Sequence, residues 1–338
     1  TDVGPSGGGI PTSGPNLPRI WYRIATDPTW VESSAGTLVS GDGLDGTWEF
    51  TLHTGDLAPQ IGETIEYYVV AQDQASTPNI WYRPVTADGP VHTDVSTQTV
   101  PPSAPESYEI TGSLAGTYYV PNEPAGRGLQ SFPTLTTSRG FFRAANLLPF
   151  SGDVTVIING DLTDEDGSYE LGEWLEEGAG DWTLTIRPDT SMTYLISGSG
   201  VASGAPLISV AGADRVSIDG RSGGSGRYLL FRNTNATASD AGPVIQFDDG
   251  STDCVLRNTV LEGNGSSAAS GTVMLGATGA NESLLIAEND IRDPTAGTLG
   301  APANALYGSS TGLANIVVSN NEIRNWSKGG VALPTAGD

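Results

Sequence analysis

The residues whose types and spacing could do chemistry are two groups of carboxylates. The stretch from Asp161 to Glu177 carries Asp161, Asp164, Glu165, Asp166, Glu170, Glu173, Glu176 and Glu177. Within it Asp164, Asp166, Gly167 and Glu173 stand at positions 3, 5, 6 and 12 of a twelve-residue calcium loop, an arrangement that offers hard oxygen ligands to Ca²⁺. The first ligand position is Leu162, however, and no helix pair flanks the loop, so a solvated acidic turn is the plainer reading. The second group is Asp248 and Asp249, followed by Asp253. Paired carboxylates at this spacing suit general acid/base work on a glycosidic bond. The run Asp-Asp-Gly-Ser-Thr-Asp is also what a polar turn between strands looks like, and the turn is the favoured reading.

Other reactive types are sparse. One cysteine, Cys254, and two distant histidines, His53 and His92, cannot build a tetrahedral zinc site or an intrachain disulfide. Cys254 falls in a column with Val216 and Ile316, where it reads as a small apolar filler. Arg257, Arg292 and Arg324 are the basic residues placed to take a proton in an eliminative cleavage, but beside Asp293 and Glu322 they read more simply as surface ion pairs. Trp326 and Tyr307 are aromatics able to stack on a sugar face or to cover an edge. Gly223–Gly226 joins two strands and offers no helix N-terminus to a phosphate.

The elements that must position these residues repeat. Val154-Thr155-Val156, Leu184-Thr185-Ile186, Val216-Ser217-Ile218, Cys254-Val255-Leu256, Leu284-Leu285-Ile286 and Ile316-Val317-Val318 are one short strand written six times, at intervals of 30, 32, 38, 30 and 32 residues. A second apolar position recurs at Leu261, Ile291 and Ile323. A third strand-like piece recurs at Pro206–Val210, Pro243–Phe247, Thr272–Leu275 and Ala305–Tyr307. Gly, Asn, Asp and Ser bound every piece, and no window in Gly200–Gly330 has the spacing of an amphipathic helix. Three strands per coil of this length predict a parallel β-helix, with Asn289 and Asn321 stacked in one turn of successive coils. An antiparallel sandwich is the alternative arrangement for turn-bounded strands.

The first hundred residues have a different texture. Ile20–Ile24, Trp48–His53, Thr64–Ala71 and Asn79–Arg83 alternate aromatic and β-branched side chains between turns, which predicts a small β-sandwich. Val100–Pro105 is a proline-rich joint. Thr111–Val120 is expected to be a lead-in strand. Leu135–Phe150 is the one expected helix, with Phe141, Phe142, Ala145 and Leu148 on the face that covers the end of the bore.

Composition narrows the partners. Acidic residues number 39 against 15 basic ones, of which Lys328 alone is lysine, for a net charge of −24. That field repels nucleic acid and anionic membranes, so neither is an expected partner. No stretch approaches the length of a membrane span. The last coil starts at Gly329–Leu333 and stops, and no signal peptide opens the chain, so the sequence reads as a fragment of a longer secreted protein.

Gly62–Asp73 resembles the late strand of fibronectin type III or immunoglobulin-like modules of large bacterial surface proteins. Set against those modules, one further strand is expected ahead of Pro18, before Thr1 or in the first few residues. Ser113–Tyr119, Phe132–Leu135, Asp181–Pro188, Ala213–Arg221 and Arg227–Thr234 resemble the opening coils of right-handed, pectin lyase-like β-helices in very large modular surface proteins of Bacteroidetes-like bacteria. The resemblance implies an all-β chain with a fibronectin/Ig-like sandwich over residues 1–100. It implies a right-handed parallel β-helix over 101–338, with a capping segment at 106–150. It is specific for architecture and weak for activity, since such β-helices host lyases, hydrolases, adhesins and passive stalks. The expected role is an extracellular, cell-surface or secreted segment that presents a β-helix face to glycan or protein partners. It requires no cofactor, Ca²⁺ being the one candidate. The alternatives are a carbohydrate-active enzyme using Asp248, Asp249 and Asp253, and a filament subunit that associates end to end.

Overall fold

A computed structural model describes residues 8–52, 62–84, 94–95, 101–121, 130–200, 202–235, 237, 239, 241–276, 278–294, 301–309 and 312–333. The expected strand end at His53, and His92, lie outside the described residues. The chain forms two compact units, divided between Ile110 and Thr111. The division falls past the proline joint because Glu106–Glu109, placed by sequence in the capping segment, pairs antiparallel with Thr64–Gln72 of the first unit.

In the first unit Arg19–Ile24 pairs with Thr64–Gln72 in an antiparallel sheet completed by Val31–Glu32, Ile80–Arg83 and Glu106–Glu109, while Thr37–Gly41 and Gly46–Glu49 form a separate hairpin. Alternation drives this arrangement. Tyr22, Ile24 and Ile65 are buried on one side of the sheet against Leu52 and Ile110. Tyr68, Val70 and Val95 are buried on the other against Trp21 and Trp30. Aromatics fill the second side, where Trp30 meets Tyr68 edge-on at 4.8 Å and Arg23 lies over the Trp30 ring. These antiparallel sheets fit a small β-sandwich.

The second unit is a parallel β-solenoid of three faces. The first face runs Leu114–Val120, Phe150–Ile158, Leu184–Pro188, Val216–Asp219, Val255–Arg257, Leu285–Ala287, Val317–Ser319. The second face holds six strands, from Leu162–Glu165 to Glu322–Ile323, and the third holds five, from Ile208–Ala211 to Gly329–Ala332. The register is the one the repeat predicts: Val156, Ile186, Ile218, Leu256, Ile286 and Val318 are consecutive partners. Ile186, Ile218, Leu256 and Ile286 are all at most 1% exposed, so they form one layer lining the bore. Phe231, Leu261 and Ile291 supply the second face's column, and Val210, Phe247 and Leu275 the third's. Each such side chain contributes roughly 1.5–3 kcal/mol by leaving water.

Corners between the faces are made by residues in the left-handed region. Arg215, Asp253, Ser283 and Asn315 precede first-face strands with φ of 51–57°. Asn258, Glu288 and Asn320 follow them with φ of 52–60°. The stacked Asn289 and Asn321 sit one residue beyond that bend and have a different task. Asn289 Nδ2 donates to Asn321 Oδ1 at 3.0 Å and to Leu256 O, while Asn289 Oδ1 accepts from the amide and hydroxyl of Thr259. The side-chain amides thus satisfy backbone groups that the corner removes from the ladder.

The bore's N-terminal end is covered by one short helix, α1 (Phe141–Leu147). It is shorter than the expected Leu135–Phe150, because Phe150 already begins a strand and residues 134–140 are held as turns. Phe141, Phe142, Ala145 and Leu148 are buried as expected, with Phe141 against Phe132 and Tyr118. The Glu165 carboxylate fixes the turn before α1. It accepts from the amides of Leu135 and Thr136 at 2.7 Å and from the Thr136 hydroxyl. Among the described residues no helix is long and apolar enough to cross a membrane.

Candidate functional site

The third face carries a cleft of about 680 Å³. Its origin is a departure from the repeat. In the first coil the segment 167–172 stands where a third-face strand would be, and only Leu171 makes the bridge, to Val210. Asn146 of α1 clips this segment in place, donating to Glu170 O at 2.7 Å and accepting from Gly172 N at 2.9 Å. Beneath it run the outward positions of the next two strands, Ser209 beside Gln246 and Ala211 beside Asp248. Tyr169, Glu170 and Asp249 line the cleft above Ser209, Gln246 and Asp248.

Asp248 is the most firmly placed of these groups. Its Oδ2 accepts from Gln246 Nε2 at 2.8 Å, and its Oδ1 from the amides of Asp249 and Thr278 at 2.9 and 2.8 Å. Gly276 follows the third-face strand Val273–Leu275, and a Cβ there would stand 2.2 Å from the Asp248 carboxyl carbon, so only glycine allows this seat. Asp249 turns the corner with φ of 54° and is exposed.

The fold separates the sequence candidates. Asp248 and Asp249 share the cleft, together with Glu170 from the acidic stretch. Asp253 does not line it; it is an exposed corner residue before the first-face strand. Asp164 is exposed on the second-face strand Leu162–Glu165, and Asp166 Oδ1 closes a turn by accepting from Ser168 N. Glu173 lines a different hollow, with Trp174, Asp214 and Arg215. Among the described residues no three acidic, His or Cys side chains converge as a metal ion needs. Offsets along a chain place calcium ligands only when the backbone coils around the ion, and here Asp164 belongs to an extended strand. Ser209, Gln246, Tyr169 and Asn146 were not singled out from sequence. The signal for two of them was present, since Ser209 and Gln246 are the polar positions within the third-face pieces.

The arginines sit elsewhere. Glu262, fully buried, lies between Arg232 at 2.6 Å and Arg292 at 2.9 Å. Arg292 also reaches Asp290, which Arg324 meets from the next coil, and Arg324 meets Glu322. Arg257 and Arg221 share Asp219. Burial acts to raise the Asp219 carboxyl, but the Arg221 hydrogen bond and the two guanidinium charges outweigh it and hold the group below the usual carboxylate range. Arg257, Arg292 and Arg324 are therefore committed to ion pairs. Asp293 lies close enough to this column for its charge to act on Arg324, and it also accepts from Asn325 Nδ2.

Comparison of the chain with protein-family models, with curated proteins and with solved structures finds no match in any of the three.

Proposed function

We propose that the chain is a structural and adhesive segment of a large, modular, extracellular bacterial surface protein. In this reading the first unit is a fibronectin type III or Ig-like spacer, and the second is a pectin lyase-like β-helix that presents one face to a glycan or protein. The observation that carries it is the division of labour among the solenoid's outer surfaces. On the second face the charged side chains are spent on one another in the ladder from Arg232 to Glu322. The third face keeps a polar cleft open to contact. A stack held in register over the five second-face strands from Tyr194–Gly198 to Glu322–Ile323 suits a stiff presenter better than a closing active site.

A second reading is a carbohydrate-active enzyme. Asp248 and Asp249 in one cleft favour it, since two carboxylates are the minimum for glycosidic acid/base work. A glycan array, probed with and without calcium, tests the first reading, and saturable capture without product is the result expected. Release of sugar from any captured polysaccharide, abolished by Asp249→Ala, would replace it with the second.

A further inference from the structure

The third-face cleft has a chemistry of its own. We propose that it is a binding site for an organic cation, the guanidinium or ammonium group of a basic peptide segment on a partner protein. The inference rests on the proposed contact role of the third face and names the partner chemistry of its cleft.

Sign comes first. Glu170, Asp248 and Asp249 line the cleft and no lining residue is basic. Three carboxylates around one space favour a positive occupant and repel uronate or phosphate.

Size comes next. A bound calcium ion needs several oxygens within about 2.3–2.6 Å. No three acidic groups among the described residues converge that closely. Carboxylates spread around about 680 Å³ suit a cation several atoms across, whose donors can reach more than one of them.

The cleft is also built to receive a donor. Ser209 forms its floor at 8% exposure, and its hydroxyl has no hydrogen-bond partner among the described residues. Above it the Asp248 carboxylate is seated by three donors and by the missing side chain at Gly276, so it stays an acceptor in a fixed place. Tyr169 adds a ring beside which a guanidinium can stack. At longer range the net charge of −24 steers basic segments toward the molecule. A neutral glycan would leave the Glu170 and Asp249 carboxylates uncompensated when it excludes water.

The test is fluorescence anisotropy with a labelled acetyl-tetraarginine amide, read on the full chain at low and at physiological salt. Glu170 and Asp249 are exposed and their carboxylates carry no described bond, so Glu170→Gln with Asp249→Asn leaves the fold in place. A control, Glu49→Gln with Glu109→Gln, removes two exposed charges from the other unit. The cleft variant is expected to weaken binding at least tenfold and the control less than twofold, with a tetraglutamine peptide inert. Equal weakening by both variants would mean general attraction to an acidic surface and would overturn the proposal. So would no binding of the arginine peptide, or capture of a neutral tetrasaccharide such as cellotetraose that the cleft variant alone loses.

Discussion

Burial pushes the Cys254 thiol up to about 12, and the Asp214 and Asp253 carboxylates push the same way. At pH 8 almost none of it is thiolate, which is the form that reacts. In the native chain Cys254 is expected to be inert to an aromatic disulfide reagent at pH 8, and to titrate as one thiol after denaturation. Prompt reaction of the folded protein would place the side chain outside the bore. Glu165 makes a different residue-scale case. Burial raises its carboxyl above the ordinary 4.5, against the hydrogen bonds from Thr136 and Leu135 that lower it. A raised acid stabilises the folded state fully below its unfolded value and loses that contribution as pH rises through the folded one. The melting temperature of the parent relative to a Glu165→Gln variant should therefore fall as pH is raised from about 4.5, measured by circular dichroism at fixed ionic strength. A flat difference would show that this carboxyl titrates alike in both states.

At the scale of elements, the coil-to-coil ladder of charge is worth more than its surface position suggests. Glu262 has no exposed side-chain surface, while its partners Arg232 and Arg292 are 32% and 25% exposed. Breaking a buried pair costs about 3–5 kcal/mol, and partners still in contact with water bring the expectation to the lower end. Glu262→Ala should cost about 3 kcal/mol in urea unfolding, against about 0–1 kcal/mol for Glu322→Ala at the half-exposed end of the same ladder. Equal small losses would show the two carboxylates to be alike. The sequence carried much of this element-level picture and little of the site. Strand triplets at near-constant intervals are legible because the bore accepts only apolar side chains at fixed steps, so Ile186, Ile218, Leu256 and Ile286 appear in register on the page. The helix was overextended because the apolar face of Phe141, Phe142, Ala145 and Leu148 was carried back over Leu135–Gly140, whose Thr, Ser and Gly are weak helix formers. The buried Glu165 that holds this stretch in turns lies 29 residues away from Thr136. The cleft was half legible. Asp248 and Asp249 stand together in the chain, but Glu170 and Ser209 reach them only by stacking of coils. Asp253, near in sequence, turns away at the corner.

For the whole molecule the controlling quantity is charge. A net −24 on 338 residues works against compactness through self-repulsion, and the ladder's arginines, Arg232, Arg292 and Arg324, offset only a small part of it. Salt screens exposed charges over about 10 Å at 0.1 M and leaves buried pairs such as Arg292 with Glu262 nearly intact. Raising NaCl from low to physiological concentration should thus raise the melting temperature by a few degrees, the opposite of what a chain held together by surface ion pairs would do. Calcium sharpens the comparison. With Asp164, Asp166 and Glu173 placed in three different settings, CaCl₂ at matched ionic strength should raise the melting temperature no more than MgCl₂ does. A calcium-specific rise that saturates would require the acidic stretch 161–177 to rearrange around the ion, and Asp164→Asn would then remove it.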